Sequence, residues 1–123
     1  MVSATPVRAI ERAFAARGAA VAPVAALPEL CDPALCTGLT IWGGVSKPVY
    51  LAPRRGRDFV VIVFKNAADA RRIGRFERTH APQVGAAVHE SALLVYLKSS
   101  ERIAGLETAL AASRGTRATS RGC

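Results

Sequence analysis

The chain has 123 residues, and its 17 lysines and arginines against 9 acidic residues give a formal net charge of +8 at pH 7. Half of the residues are hydrophobic, as in a typical globular protein, and the length suits one domain with a single core. No stretch of about 18 apolar residues occurs, so we expect no transmembrane segment. Charged residues also divide the N-terminal segment, which argues against a secretory leader there: Arg8, Glu11, Arg12 and Arg17.

The first half of the chain predicts one helix and three short strands. Thr5 and Pro6 are typical of a helix start and Gly18 of a helix stop, and apolar residues recur at helical spacing between them. Prolines make the segment 25–35 irregular. The three strands are expected at residues 18–24, 37–42 and 49–51.

The second half begins with the strongest pattern in the chain. Residues 59–64 are all apolar and mostly β-branched or aromatic, which predicts a central strand buried on both faces. Asn66 is the expected N-cap of the next helix, and Asp69 adds negative charge to its first turn. Two strands at 84–90 and 93–97 and a second amphipathic helix should follow.

The predicted order of elements is α-β-β-β-β-α-β-β-α, so we expect an α+β fold. Its C-terminal half, β-α-β-β-α, is typical of a ferredoxin-like or split βαβ unit. We therefore predict one small domain at residues 1–112, with an antiparallel sheet and helices packed on one face. Residues 113–123 contain Arg, Gly, Ser and Thr without core residues and predict a disordered basic tail.

Arginines concentrate in the loop before the central strand and on the helix after it. They form the candidate surface for an acidic partner or a nucleic acid: Arg54, Arg55, Arg57, Arg71, Arg72, Arg75 and Arg78. Clustered arginines attract carboxylates and phosphates alike, although many such residues are merely solvated. The sheet offers no exposed aromatic pair in a base-stacking motif, so an acidic protein or envelope polymer is the leading partner and nucleic acid the alternative.

Two cysteines lie five residues apart around a turn that contains Pro33. The chain can fold back there and bring Cys31 and Cys36 to disulfide distance, which would indicate an oxidising compartment. Free thiols, and metal or redox chemistry, are the alternatives. A redox enzyme would usually carry a closer Cys-x-x-Cys pair at a helix start, and a small thiol-redox protein is therefore the lesser alternative.

No motif in the chain predicts catalysis or a cofactor. His80 and His89 do not have the spacing to the cysteines that a zinc site needs. A nucleophile–histidine context, a phosphate-binding glycine loop and a paired-carboxylate arrangement are also missing. We therefore predict a non-enzymatic interaction module without a catalytic residue, metal or cofactor.

The patterns at 59–64, 66–70, 93–97 and 99–110 together resemble small α+β domains found in exported proteins and lipoproteins of high-GC actinobacteria. The first helix and the cysteine loop are similar too, so the resemblance covers roughly residues 5–112. It implies a bacterial protein that is secreted or associated with the cell envelope, and it carries no activity or site residues with it. If no export leader precedes this chain, the expected location is the cytoplasm.

Overall fold

The computed structural model describes residues 7–31, 36–39, 47–101 and 103–122. Its helices are α1 (Val7–Ala16), α2 (Ala67–His80) and α3 (Ile103–Gly122). Its strands are β1 (Val21–Val24), β2 (Leu30–Cys31), β3 (Cys36–Thr37), β4 (Val49–Pro53), β5 (Phe59–Val63), β6 (Val84–His89) and β7 (Ala92–Leu97). Residues 40–42 of the strand predicted at 37–42 lie outside the described residues.

Five strands form one antiparallel sheet in the order β1-β4-β5-β7-β6. The central strand β5 is buried at every position, as its unbroken apolar run predicts. β5 and β6 run parallel to each other with β7 between them, and α2 connects the two. The arrangement β5-α2-β6-β7 is therefore a split βαβ unit, and the predicted α+β domain with an antiparallel sheet is confirmed.

The helices lie on both faces of the sheet, and not on one as predicted. On one face α1 and α3 pack against β5, where the rings of Phe14 and Phe59 have centroids 5.8 Å apart and Leu110 is fully buried. On the other face α2 packs Ile73 against the opposite side of β5, including Ile62. The reason is that β5 and β7 are apolar on both sides, and such strands need cover on both sides.

The start of α2 is fixed by the N-cap that the sequence predicts. Asn66 has extended backbone, and its side-chain oxygen accepts a hydrogen bond from the Asp69 backbone N–H at 2.8 Å. One otherwise unpaired N–H of the first turn is thereby satisfied. This cap sets the position at which the chain leaves the sheet and enters the helix.

A second, two-stranded sheet begins in the segment 25–35 predicted to be irregular, where β2 lies, and β3 reaches the first residue of the strand predicted at 37–42. β2 and β3 pair with Leu30 opposite Thr37 and Cys31 opposite Cys36. Leu30 is fully buried in the core on the α2 side, and the Cys31 N–H donates to the Arg57 carbonyl at 2.7 Å. This hairpin is held by contacts with residues distant in the sequence, such as Arg57. The prolines in the segment predicted only a local irregularity and could not indicate these contacts.

α3 continues through residues 113–122, where the composition predicts a disordered tail. The packed part of the helix reaches at least Ser113, which is only 5% exposed and whose hydroxyl donates to the Leu110 carbonyl at 2.7 Å. A helix that is already nucleated gains one hydrogen bond for each residue added, so it can continue beyond its apolar stripe. Within the described residues, no helix is both long and apolar enough to cross a membrane.

Candidate functional site

The structure places the predicted arginines on two separate elements. Arg54, Arg55 and Arg57 are exposed in the loop between β4 and β5, while the other four are exposed on α2, which covers β6 and β7: Arg71, Arg72, Arg75 and Arg78. Among the α2 arginines, Arg78 donates from Nη1 to the Ala86 carbonyl of β6 at 3.1 Å. This guanidinium therefore already fastens α2 to the edge of the sheet.

Arg54 and Arg55 of this loop line a groove that also contains arginines of α1, whereas Arg57 is not among its described lining residues. Three adjoining cavities of about 250, 370 and 300 Å³ share lining residues along the outer side of α1. We call this surface the arginine groove and define it by its charged lining: Arg8, Glu11, Arg12, Arg54 and Arg55. It joins two elements that are more than thirty residues apart in the sequence.

The turn between α1 and β1 brings the two sides of the groove together. Gly18 has a φ of +74°, a left-handed conformation that glycine adopts without strain at a helix end. The Ala19 N–H then donates to the Phe14 carbonyl at 2.9 Å. One residue further, the Ala20 carbonyl accepts from the Arg54 N–H at 2.9 Å. The base of the arginine loop is therefore fixed to the end of α1.

Arg8 and Arg12 lie on one exposed side of α1 because they are four residues apart. The opposite side of the helix carries Ile10 and Phe14, which are fully buried against the sheet. That burial prevents the helix from rotating, so the two guanidinium groups are held on the side that borders the groove. The groove thus has a fixed backbone frame and flexible cationic side chains.

Three arginines of the groove are available to a ligand: Arg8, Arg12 and Arg54. All three are exposed, and among the described residues their side chains make no hydrogen bond or ion pair. Among the described lining residues, four arginines against the one carboxylate of Glu11 leave a positive potential over the groove. Neighbouring like charges also repel each other, and a bound anion would relieve that repulsion.

The floor of the groove consists of small residues. Ala15, Gly18 and Ala20 line its central part, between the arginines of α1 and those of the loop. Among the residues that the structure describes, none that lines the three cavities is aromatic. The surface can therefore accept an extended chain close to its floor, with acidic side chains reaching the guanidinium groups on either side.

Sequence reasoning found only half of this groove. It identified Arg54 and Arg55 but used Arg8 and Arg12 solely as an argument against a secretory leader. Their spacing of four residues on the polar side of a predicted helix was the available signal. What the sequence could not supply was the hydrogen bond between Arg54 and Ala20 that brings the loop beside the helix.

The two cysteines are brought together as the sequence predicts. Cys31 and Cys36 lie opposite each other in the β2–β3 hairpin at disulfide distance, with Cα atoms 4.0 Å apart. The carboxylate of Glu29 joins them, and the ligand-capable atoms of the three side chains all lie within 4.8 Å of one another. Sequence reasoning missed Glu29, although it is only two residues before Cys31.

Neither histidine belongs to that cluster. His80 stacks on Phe76 at a centroid distance of 4.1 Å in the last turn of α2, and its Nδ1 is 3.0 Å from the Phe76 carbonyl. His89 ends β6, opposite Ala92 of β7.

Comparison with known proteins adds no further guide to function, because no family model, curated protein or solved structure matches this chain. The arginine groove and the cysteine cluster are therefore the features that indicate what this protein does.

Proposed function

We propose that this protein is a non-enzymatic interaction module that binds an acidic polypeptide segment in the arginine groove. The observation that carries the proposal is that Arg12 and Arg54, from distant parts of the chain, line the same cavity above a floor of small residues. Arginines that merely keep the protein surface solvated would not need to line the same cavity. The groove combines positive charge with a shape that an extended segment can fill.

Recognition would rest on carboxylate–guanidinium pairs. Glutamate or aspartate side chains can accept paired hydrogen bonds from an arginine, while the backbone of the ligand lies along Ala15 and Ala20. Exposed ion pairs contribute about 0.2–1 kcal/mol each, so Arg8, Arg12 and Arg54 together support weak, transient binding. The positive field would also accelerate encounter with an acidic partner, and that effect weakens as salt is added.

An acidic polypeptide suits the groove better than a nucleic acid does. Single-stranded nucleic acids usually stack their bases on aromatic side chains, and the described part of the groove lining contains none. The half-buried Glu11 in the middle of the groove would repel a continuous row of phosphates, whereas a peptide can place a neutral residue beside it. Nucleic-acid binding is accordingly the rival that the experiment must distinguish.

We further propose that the protein works in the bacterial cell envelope or outside the cell. Support comes from Cys31 and Cys36, which lie at disulfide distance, because structural disulfides persist in oxidising compartments. Intact mass of protein from its host, alkylated with and without reduction, tests this location. A Cys31–Cys36 bridge would support it, and two free thiols would contradict it.

The binding proposal is tested by fluorescence anisotropy with two labelled probes of equal length, an oligoglutamate peptide and a single-stranded oligonucleotide. The test variant is R12A/R54A. The control is R71A/R75A, which removes the same charge from exposed positions of α2. R12A/R54A removes two ion pairs with the peptide. If each contributes a free energy near the upper end of the range for exposed pairs, the peptide affinity of this variant should be about tenfold to thirtyfold weaker.

The peptide affinity of the control variant should fall by less than about threefold, because its substitutions change only the overall electrostatic potential of the protein and remove no contact in the groove. The variant E11Q should bind the peptide more tightly, since it removes the single negative charge of the groove. Equal losses for both double variants would contradict a groove-specific site. Tighter binding of the oligonucleotide than of the peptide, lost in R12A/R54A, would replace our proposal with nucleic-acid binding.

A further inference from the structure

The cysteine hairpin carries a cluster of side chains that the proposed binding function does not use. Glu29 immediately precedes β2, Cys31 ends that strand, and Cys36 begins β3. One carboxylate oxygen and the two sulfur atoms all lie within 4.8 Å of one another. From this cluster we infer a metal site in the dithiol form of the protein, with Glu29, Cys31 and Cys36 as ligands for a divalent cation of the zinc class.

The cluster can reach the dimensions of a tetrahedral zinc site once the disulfide is open. Zinc–sulfur bonds of about 2.3 Å and zinc–oxygen bonds of about 2.0–2.2 Å place neighbouring ligand atoms about 3.5–3.8 Å apart. The Glu29 oxygen is close enough to both sulfur atoms to reach this spacing through a side-chain rotation. Once the disulfide is open, the sulfur atoms need only move apart to the same distance. A water molecule would complete the four ligands.

The backbone that carries Glu29 and Cys31 is already held in place. Leu30, between these two ligands, is fully buried in the core on the α2 side. The Cys31 N–H donates to the Arg57 carbonyl at 2.7 Å. On this side of the site, little backbone ordering is therefore needed when a cation binds. Glu29 and Cys36 are exposed and Cys31 is half-buried, so an ion can enter from solvent.

The carboxylate also distinguishes this site from a thiol-redox centre. A redox-active cysteine needs positive surroundings that favour its thiolate, whereas a neighbouring carboxylate disfavours the thiolate. A divalent cation reverses that effect, because it attracts the carboxylate and both thiolates. The presence of Glu29 therefore favours metal binding over disulfide exchange as the chemistry of the pair.

The two forms of the pair interconvert by balanced steps. A thiol reductant transfers two electrons and two protons to the disulfide, the S–S bond breaks, and the reductant becomes a disulfide itself. Zinc then binds without changing its oxidation state and displaces the two thiol protons into solvent. A disulfide and a bound cation exclude each other, so the metal protects the thiols from oxidation.

The test uses the full chain carrying C123S, which removes the third cysteine, after anaerobic reduction and removal of the reductant. Titration with Co²⁺ should show one ion per chain and the thiolate-to-cobalt absorption of two sulfur ligands. Competition between Zn²⁺ and a chromogenic chelator then gives the zinc affinity. The oxidised protein should bind neither ion at this site, since both sulfur atoms are used in the disulfide.

Glu29→Ala provides the decisive variant. Because losing even an outer-shell partner costs a metal site about 10- to 100-fold in affinity, this substitution should weaken zinc binding at least about tenfold. Glu101→Ala, at another exposed acidic position, should leave the affinity unchanged. Both substituted positions are exposed, so folding is retained and can be checked by circular dichroism.

Two results would overturn the inference. One is a reduced protein that takes up no cobalt, and the other is a Glu29→Ala variant that binds zinc as tightly as the parent. Neither result would affect the peptide-binding proposal, because the groove and the cysteine cluster share no residue.

Discussion

The ring of Tyr96 on β7 lies across Gly85 on β6, so a Cβ atom at Gly85 would be 2.6 Å from Tyr96 Cε2. The two residues are direct cross-strand partners, and only glycine leaves room for the ring in this position. We expect Gly85→Ala to force the ring away and to lower the free energy of unfolding by about 1–3 kcal/mol, the usual cost of overpacking. Urea denaturation followed by circular dichroism measures the change.

The matched control is Gly38→Ala, because a Cβ at Gly38 meets no atom within 4 Å. A double-mutant cycle with Tyr96→Ala isolates the clash. Gly85→Ala should cost less in the Tyr96→Ala background, where the ring is absent. An equal cost in both backgrounds would show that the ring is not the cause.

The same tyrosine should make stability depend on alkaline pH. Burial raises the pKa of Tyr96 above the ordinary 10.0; the charge and hydrogen bonding of Glu107 raise this pKa further, and the charge of Arg78 opposes the shift. The folded protein therefore holds the phenol proton more tightly than the unfolded chain does. The contribution to stability is complete below pH 10.0 and is lost as the pH rises through the folded-state pKa.

Two variants test this pH dependence. Tyr96→Phe removes the phenol that ionises. The free energy of unfolding of this variant, measured by chemical denaturation at increasing alkaline pH, should therefore fall less than that of the parent protein. In a Tyr50→Phe background, which leaves one tyrosine signal, Glu107→Gln should shift the ultraviolet titration of Tyr96 to lower pH. A titration that does not move would contradict the assigned role of Glu107.

The N-cap of α2 provides a local test. Asn66→Ala removes the acceptor for the Asp69 N–H, so we expect about 1 kcal/mol less stability toward thermal or chemical unfolding. Asn66→Ser retains a capping oxygen and should recover most of this loss. If serine were as destabilising as alanine, the cap would not be the source of the effect.

The hydroxyl of Ser100 connects two distant parts of the chain by donating to Asp58 Oδ2 at 2.6 Å. The Asp58 carbonyl also accepts from the Leu97 N–H at 2.8 Å, so Asp58 organises the end of β7. Ser100→Ala should lower the free energy of unfolding by about 1 kcal/mol, since the bond is only partly buried. In the Asp58→Ala background the same substitution should have little effect, and a full loss there would contradict the pairing.

The Cys31–Cys36 bridge closes a short loop and should stabilise the fold by about 2 kcal/mol through the entropy of the unfolded chain. Cys31→Ser/Cys36→Ser should therefore lower the midpoint of denaturation. Adding a thiol reductant should lower the midpoint of the parent protein to the same extent and leave that of the variant unchanged. A reductant effect on the variant would point to another cause.

The C-terminal half of the fold could be predicted because its signals are local. The apolar run at 59–64, the cap at Asn66 and the turn at residues 90–91 each depend on neighbouring residues. The division of the helices between two faces depends instead on packing between elements far apart in the sequence. The hairpin containing β2 likewise depends on Arg57, which lies 26 residues beyond Cys31.

The candidate sites show the same division between local and distant information. The cysteine pair could be predicted because a short turn brings its members together, and the loop arginines are contiguous in the sequence. Arg8 and Arg12 could be recognised as part of a groove only after the contact between Ala20 and Arg54 was known. The sequence contains no pattern from which one could predict which exposed charged residues lie next to each other in the folded protein.

The pairing of α1 with α3 limits how early this protein can fold during synthesis. α1 precedes every strand and α3 follows every strand of the sheet, yet the two helices pack together over one face. While the ribosome still holds the α3 segment, the apolar face made by Phe59, Val61 and Leu94 lacks the cover that α3 provides. The nascent chain therefore exposes apolar surface until α3 has emerged, and chaperone binding would be most useful in that interval.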